Sequence, residues 1–151
     1  MSPAAGAETP HILLDTNVVL DVLLQREPWL ADAQALWQAV DEERLTAFLP
    51  ASVLTDIFYV ARRLTDSVRA RQAVQVCLDA FEIAVVDRSV LERAQVLAGA
   101  DFEDNVQIAC AELNQLDAIV TRDPADFAGS PIAVWSPAVC RRHLPGAHGA
   151  V

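Results

Sequence analysis

The sequence predicts an α/β fold, a central and mostly parallel sheet of about four or five strands flanked by helices. Three observations predict it. Short apolar runs alternate with longer stretches of helical periodicity from His11 to about Leu144, the pattern that lays parallel strands under helices. No repeat or linker interrupts that stretch, and 151 residues, 53% of them hydrophobic, suffice for one continuous core. The first apolar run, Ile12 to Leu14, ends in a carboxylate, Asp15; open α/β sheets place their ligand crevice at that carboxyl edge.

The elements follow in order. After Ile12–Leu14, a short helix is expected from Val18 to about Leu24. Pro28 suits the first turn of a second helix reaching about Glu42, with Leu30, Ala33, Trp37 and Val40 near helical spacing. Thr46–Leu49 reads as a strand ended by Pro50. Ser52 is placed to cap a helix to about Leu64, and Thr65 or Asp66 one to about Ala80. Phe81–Val86 is the next strand, and Asp87 or Ser89 starts a helix ending near Gly99. Asp101 caps another, to about Gln115; Ala118–Thr121 and Ile132–Trp135 are the last strands. The domain is thus 11–144, with a flexible leader at 1–10 and a flexible tail at 145–151.

Composition removes several function classes. The formal charge is −10, and such a surface repels nucleic acid at long range, against a simple DNA-binding module. It is compatible with a nuclease whose acids gather at a metal. All 11 basic residues are arginines, so lysine-dependent phosphate loops, Schiff bases and phospho-aspartate chemistry are excluded. Arginine grips phosphate bidentately, which suits contact with an RNA or DNA backbone. The three cysteines lack a paired spacing and are expected to be reduced thiols in the cytoplasm. His11, His143 and His148 show no metal-ligand spacing. No apolar run approaches the roughly 20 residues of a membrane helix, and Met1–Pro10 lacks the features of a secretory signal.

Four acids stand at element boundaries: Asp15, Asp56, Asp104 and Asp123. Three have an ordinary alternative. Asp15 sits before a helix, Asp101 and Asp104 have capping-box spacing, and Asp123 precedes Pro124. Asp56 lies within the expected apolar stripe Val53, Ile57, Val60 and Leu64, where a carboxylate costs several kcal/mol unless paired or metal-bound. If the strands at Ile12 and Ala118 are parallel neighbours, Asp15 and Asp123 share an edge that Asp104 can approach. Clustered carboxylates need a cation or raised pKa values, and an all-oxygen set favours Mg²⁺ or Mn²⁺.

Four segments now carry a specific resemblance: Leu14-Asp15-Thr16-Asn17-Val18, Asp101 through Ala109, Val120 through Phe127, and Val134-Trp-Ser-Pro137. In this order, and over about Ile12 to Leu144, they resemble the PIN domain, the three-layer fold of VapC-type bacterial toxin ribonucleases. The resemblance implies an Mg²⁺- or Mn²⁺-dependent endoribonuclease. By position, Asp15, Asp56, Asp104 and Asp123 would be its four metal-binding acids, supported by Asn17 and Thr121. Asp126 rivals Asp123 for the fourth role and Glu103 rivals Asp104 for the third. Asp56 departs from the glutamate common in the family, being one methylene shorter. Arg62, Arg63 and Arg122 are the candidates for gripping RNA phosphates. As partners the resemblance implies RNA and a cognate antitoxin lying in the groove, and it allows a homodimer. A PIN-like protein- or RNA-binding module with weakened catalysis is the alternative.

Overall fold

Five strands build one sheet: β1 (His11–Leu14), β2 (Thr46–Pro50), β3 (Glu82–Ala84), β4 (Ala118–Val120) and β5 (Ala133–Trp135). The structure, a computed structural model, describes residues 8–99 and 101–146. Most of the expected leader and tail, His148 included, lies outside those residues. Every strand pair is parallel, in the order β3-β2-β1-β4-β5. The helices are α1 (Thr16–Leu23), α2 (Leu30–Asp41), α3 (Val53–Leu64), α4 (Ser67–Ala80), α5 (Arg88–Val96), α6 (Phe102–Leu113) and α7 (Pro137–Arg142). None of them is long and apolar enough to cross a membrane.

The strands are apolar at nearly every position because helices cover both faces. Ile12 and Leu14 of β1 and Ala118 and Val120 of β4 pack into one core with α1, α2 and α3. Leu13 and Ile119 point the other way, into a second core with α5 and α6. The chain fills the sheet from β1 outward through β2 to β3, then crosses to β4 on the other side of β1. That reversal makes the carboxyl ends of β1 and β4 the topological switch point. The register pairs Leu14 with Val120, so Asp15 and Thr121 leave the sheet side by side.

Caps set the helix starts. Asp66, Asp87 and Asp101 each accept a backbone N–H three residues on, at 2.8, 3.2 and 3.1 Å. Ser52 does not cap: it already has helical dihedrals, and its carbonyl accepts the Thr55 hydroxyl at 2.9 Å. Pro28 lies in the turn before α2, whose first carbonyl is that of Trp29. Helix α7 was not expected, although Ser136-Pro137 is a cap followed by a first-turn proline, and Ser136 Oγ accepts from Val139 N at 3.1 Å. The three cysteines are buried and unpaired.

Buried Asn105 ties α6 to the end of α5. Its amide donates to the Gly99 carbonyl at 3.0 Å, with longer contacts at 3.4 Å to the carbonyls of Ala94 and Leu97. A Cβ on Gly99 would stand 2.4 Å from Asn105 Oδ1, so this close approach requires glycine. Asn105→Ala leaves those carbonyls, in and just beyond the last turn of α5, without their donor. We expect it to cost about 1–3 kcal/mol in urea denaturation; no loss would mean that water replaces the amide.

Candidate metal centre at the carboxyl edge of the sheet

Asp15 occupies the N-cap position of α1 yet its side chain makes no cap hydrogen bond. Each of its oxygens accepts a bond from a different element instead. Thr121 Oγ1 donates to Oδ2 at 2.8 Å and Gln107 Nε2 donates to Oδ1 at 3.2 Å. Thr121 is fully buried and Gln107 nearly so, so both hold Asp15 from the protein side. A carboxylate has about four acceptor sites, and the outward ones stay available. Asp123 is likewise in a cap position without a cap bond. Its Oδ2 accepts from Asn17 Nδ2 at 3.3 Å, and its N–H donates to Thr121 Oγ1 at 3.1 Å. Capping therefore explains neither acid.

At α6 the capping is done by Asp101, which leaves the half-buried Asp104 carboxyl with no such task. Burial, with the charges of Asp101, Asp15, Asp126 and Glu103, pushes its pKa up to about 6. Glu103 is also raised, by burial and by the charges of Asp56, Asp101 and Asp15. The acid edge therefore holds more negative charge than the residues around it neutralise. Both rivals from the sequence, Glu103 and Asp126, belong to it. Asp126 is the one of its pair whose charge reaches Asp104, whereas Asp123 faces Asn17 and bears on Asp21.

Asp56 does not lie in a core-facing stripe. It is exposed, as is Leu64 at 61%. The buried line of α3 runs through Val53, Ile57 and Ala61, a spacing of four that turns the helix so that Asp56 falls on its flank. Its charge still reaches Glu103, which places it at the rim of the acid edge. An exposed rim carboxylate pays little desolvation, so Asp56→Ala should leave urea stability within about 0.5 kcal/mol. A loss of several kcal/mol would expose a buried role that this geometry lacks.

The arginines divide. Arg62 and Arg63 are exposed near the end of α3, with Arg62 over the rings of Phe58 and Tyr59 at 5.9 and 5.3 Å. Arg122 is not a free surface cation. It stacks 3.7 Å from the Trp29 ring centroid and lies 3.6 Å from Asp21 Oδ1, with 19% of its side chain exposed. Asp21, 1% exposed, is a site-side residue that sequence reasoning missed, and Gln107 is another. Signals for both existed. Asp21 is the acid inside the most continuous apolar run of the chain, and Gln107 is one helical turn beyond Asp104.

The donor set, all carboxylates in a field of excess negative charge, fits a hard divalent cation. Among the described residues no three His, Cys, Asp or Glu side chains stand close enough together to hold a metal ion between them. A separate groove of about 680 Å³, lined by Val86, Leu91 and Phe102 among others, includes none of these acids.

Comparison with known proteins bears on the family and the fold. The model of the PIN domain matches residues 11–125. A toxin-antitoxin complex from Klebsiella pneumoniae has a chain 25% identical, with a TM-score of 0.64 over 83% of this chain and 97% of that one. FitAcB from Neisseria gonorrhoeae is 21% identical, with a TM-score of 0.65 over 84% and 98%. VapC20 from Mycobacterium tuberculosis, a sarcin-ricin loop cleaving toxin, is 15% identical, with a TM-score of 0.59 over 72% and 86%. No curated protein matches the chain.

Proposed function

The chain belongs to the PIN-domain family, a family of nucleases, and from that premise we propose that it is an Mg²⁺- or Mn²⁺-dependent endoribonuclease, the toxin of a toxin–antitoxin pair. One observation carries the reading. At the switch point of the sheet, Asp15 and Asp123 are held by neighbouring side chains rather than spent as caps, beside a carboxyl raised by burial and then by its acidic surroundings. Two of the solved neighbours are a toxin–antitoxin complex and a toxin that cleaves the sarcin-ricin loop, which supports RNA as substrate and an antitoxin as partner.

The residues divide the work. Asp15, Asp104 and Asp123 would hold the cation, with Asp126, Asp56 and Glu103 around them. A bound divalent ion supplies charge neutralisation at phosphate and an acidified water. Thr121 and Gln107 fix the orientation of Asp15, and Asn17 that of Asp123. Asp104, raised to about 6 without a cation, would be drawn back to its ionised form by one. Arg62 and Arg63 offer phosphate contacts, and exposed Tyr59 beside them a face for an unpaired base.

Purified without a partner, the protein should cleave single-stranded RNA in millimolar Mg²⁺ and stop in EDTA. Mg²⁺ should also raise its melting temperature, because only the folded state gathers the acids. Cleavage that persists in EDTA would overturn the reading. A chain that binds RNA without cutting it would be the module with weakened catalysis.

A further inference from the structure

Asp21 has no assigned task, and its cost demands one. It is 1% exposed, and burial pushes its pKa up against the pull of two arginines. Those arginines stand off: Arg122 Nη1 is 3.6 Å and Arg26 Nη1 3.9 Å from Asp21 Oδ1. Neither that oxygen nor Arg122 Nη1 has a hydrogen-bond partner. A pair so buried and so loosely joined is poorly built for stability, since a well-packed apolar replacement is often neutral or better.

Its placement supplies the task. Three consecutive residues leave the end of β4 and each engages α1 or its cap. Thr121 bonds Asp15 at 2.8 Å, Arg122 pairs with Asp21 at 3.6 Å, and Asp123 accepts from Asn17 at 3.3 Å. Asn17 and Asp21 are one helical turn apart on one face of α1. The far side of the Arg122 guanidinium is closed by Trp29, 3.7 Å away in the α1–α2 connection. The middle contact is the one that holds the side chain of residue 122 itself, and its neighbours carry the side chains that bond Asp15 and Asn17.

We infer that Asp21, Arg122 and Trp29 form a brace that fixes residues 121–123 against α1, so that the Thr121 hydroxyl meets Asp15 and the Asp123 carboxylate meets Asn17. All three are positioning residues; none touches substrate. The inference rests on the ribonuclease reading, and it makes Arg122 a structural arginine rather than an RNA-gripping one.

The test is the apolar pair Asp21→Leu with Arg122→Met. We expect a melting temperature at or above wild type, because two poorly partnered buried charges are gone. We expect kcat to fall about 10²-fold, the cost of misplacing a reacting group by ~1 Å. KM for single-stranded RNA should stay within about threefold, since ~0.6 kcal/mol of binding is then the most that changes. Mn²⁺ affinity, measured by calorimetry without RNA, should weaken about tenfold. A purely structural pair gives the reverse: altered stability, with kcat and Mn²⁺ affinity within twofold of wild type, and the brace is then refuted. Should the double variant fail to fold, Trp29→Ala replaces it: Trp29 is 43% exposed, its removal frees one face of the Arg122 guanidinium, and kcat and Mn²⁺ affinity should both fall at least threefold with KM kept, whereas values within twofold of wild type refute the brace. If wild type binds Mn²⁺ but cuts no RNA, the ribonuclease reading fails and Mn²⁺ affinity alone decides the brace. If wild type neither cuts RNA nor binds Mn²⁺, both fall together.

Discussion

Asp15→Asn should abolish the proposed RNA cleavage, by at least ~10³-fold in kcat, or about 4 kcal/mol of transition-state stabilisation, and should leave the chain folded. Asparagine keeps the shape of the side chain and removes its charge. The wild-type carboxylate accepts from both Thr121 and Gln107, whereas an amide offers one acceptor and one donor. One of the two contacts therefore becomes donor against donor. The Thr121 hydroxyl can rotate to relieve it, so we expect about 1 kcal/mol of destabilisation. What cannot be relieved is the lost anion at the centre of the site. Steady-state cleavage of a single-stranded RNA, with urea denaturation of the same preparation, checks both halves. Retained activity in a folded Asp15→Asn protein would remove Asp15 from the chemistry and the proposed site with it.

Much of this was legible in the chain. Parallel β1 and β4, with an acid beyond each, follow from apolar runs closed by Asp15 and by Thr121-Arg-Asp123. Asp101 reads as a cap, and Asp66 and Asp87 as caps with Thr65 and Ser89 as their alternatives, because that role is local: a side chain reaches an amide three residues on. Failures came where a third dimension decides. Asp56 was given a buried stripe that the structure denies it, because a helix face drifts with each turn and Val53, Ile57 and Ala61 set the line. The burial argument made for Asp56 belongs to Asp21. No local pattern shows that Arg122, 101 residues later in the chain, arrives to pair with Asp21. Gln107 was passed over for a related reason: its partner Asp15 lies 92 residues away, and only the packing of α6 against β1 brings them together.

Asp104→Asn should make the metal-free protein more stable and the enzyme nearly inactive. The folded-state pKa of Asp104 is about 6 against an ordinary 3.8, chiefly through burial and then through Asp101 and Asp15. A carboxyl raised on folding binds its proton more tightly in the native state. Its contribution to stability is fully present below about pH 4 and is lost as pH rises through about 6. At pH 7.5 in EDTA wild type has lost it, whereas asparagine, always neutral, has not. The variant should therefore melt higher than wild type at pH 7.5, with the gap closing as pH falls from 6 toward 4. Mg²⁺ should reverse the order by stabilising wild type more, because the variant offers one anion fewer. Cleavage in Mg²⁺ should fall at least ~10²-fold, or about 2.7 kcal/mol. Such opposite pulls mark a residue kept for chemistry against the interest of the fold. A melting temperature in EDTA at pH 7.5 that is lower for Asp104→Asn than for wild type would show that Asp104 supports the fold, and that the crowding of acids around it is not the cost inferred here.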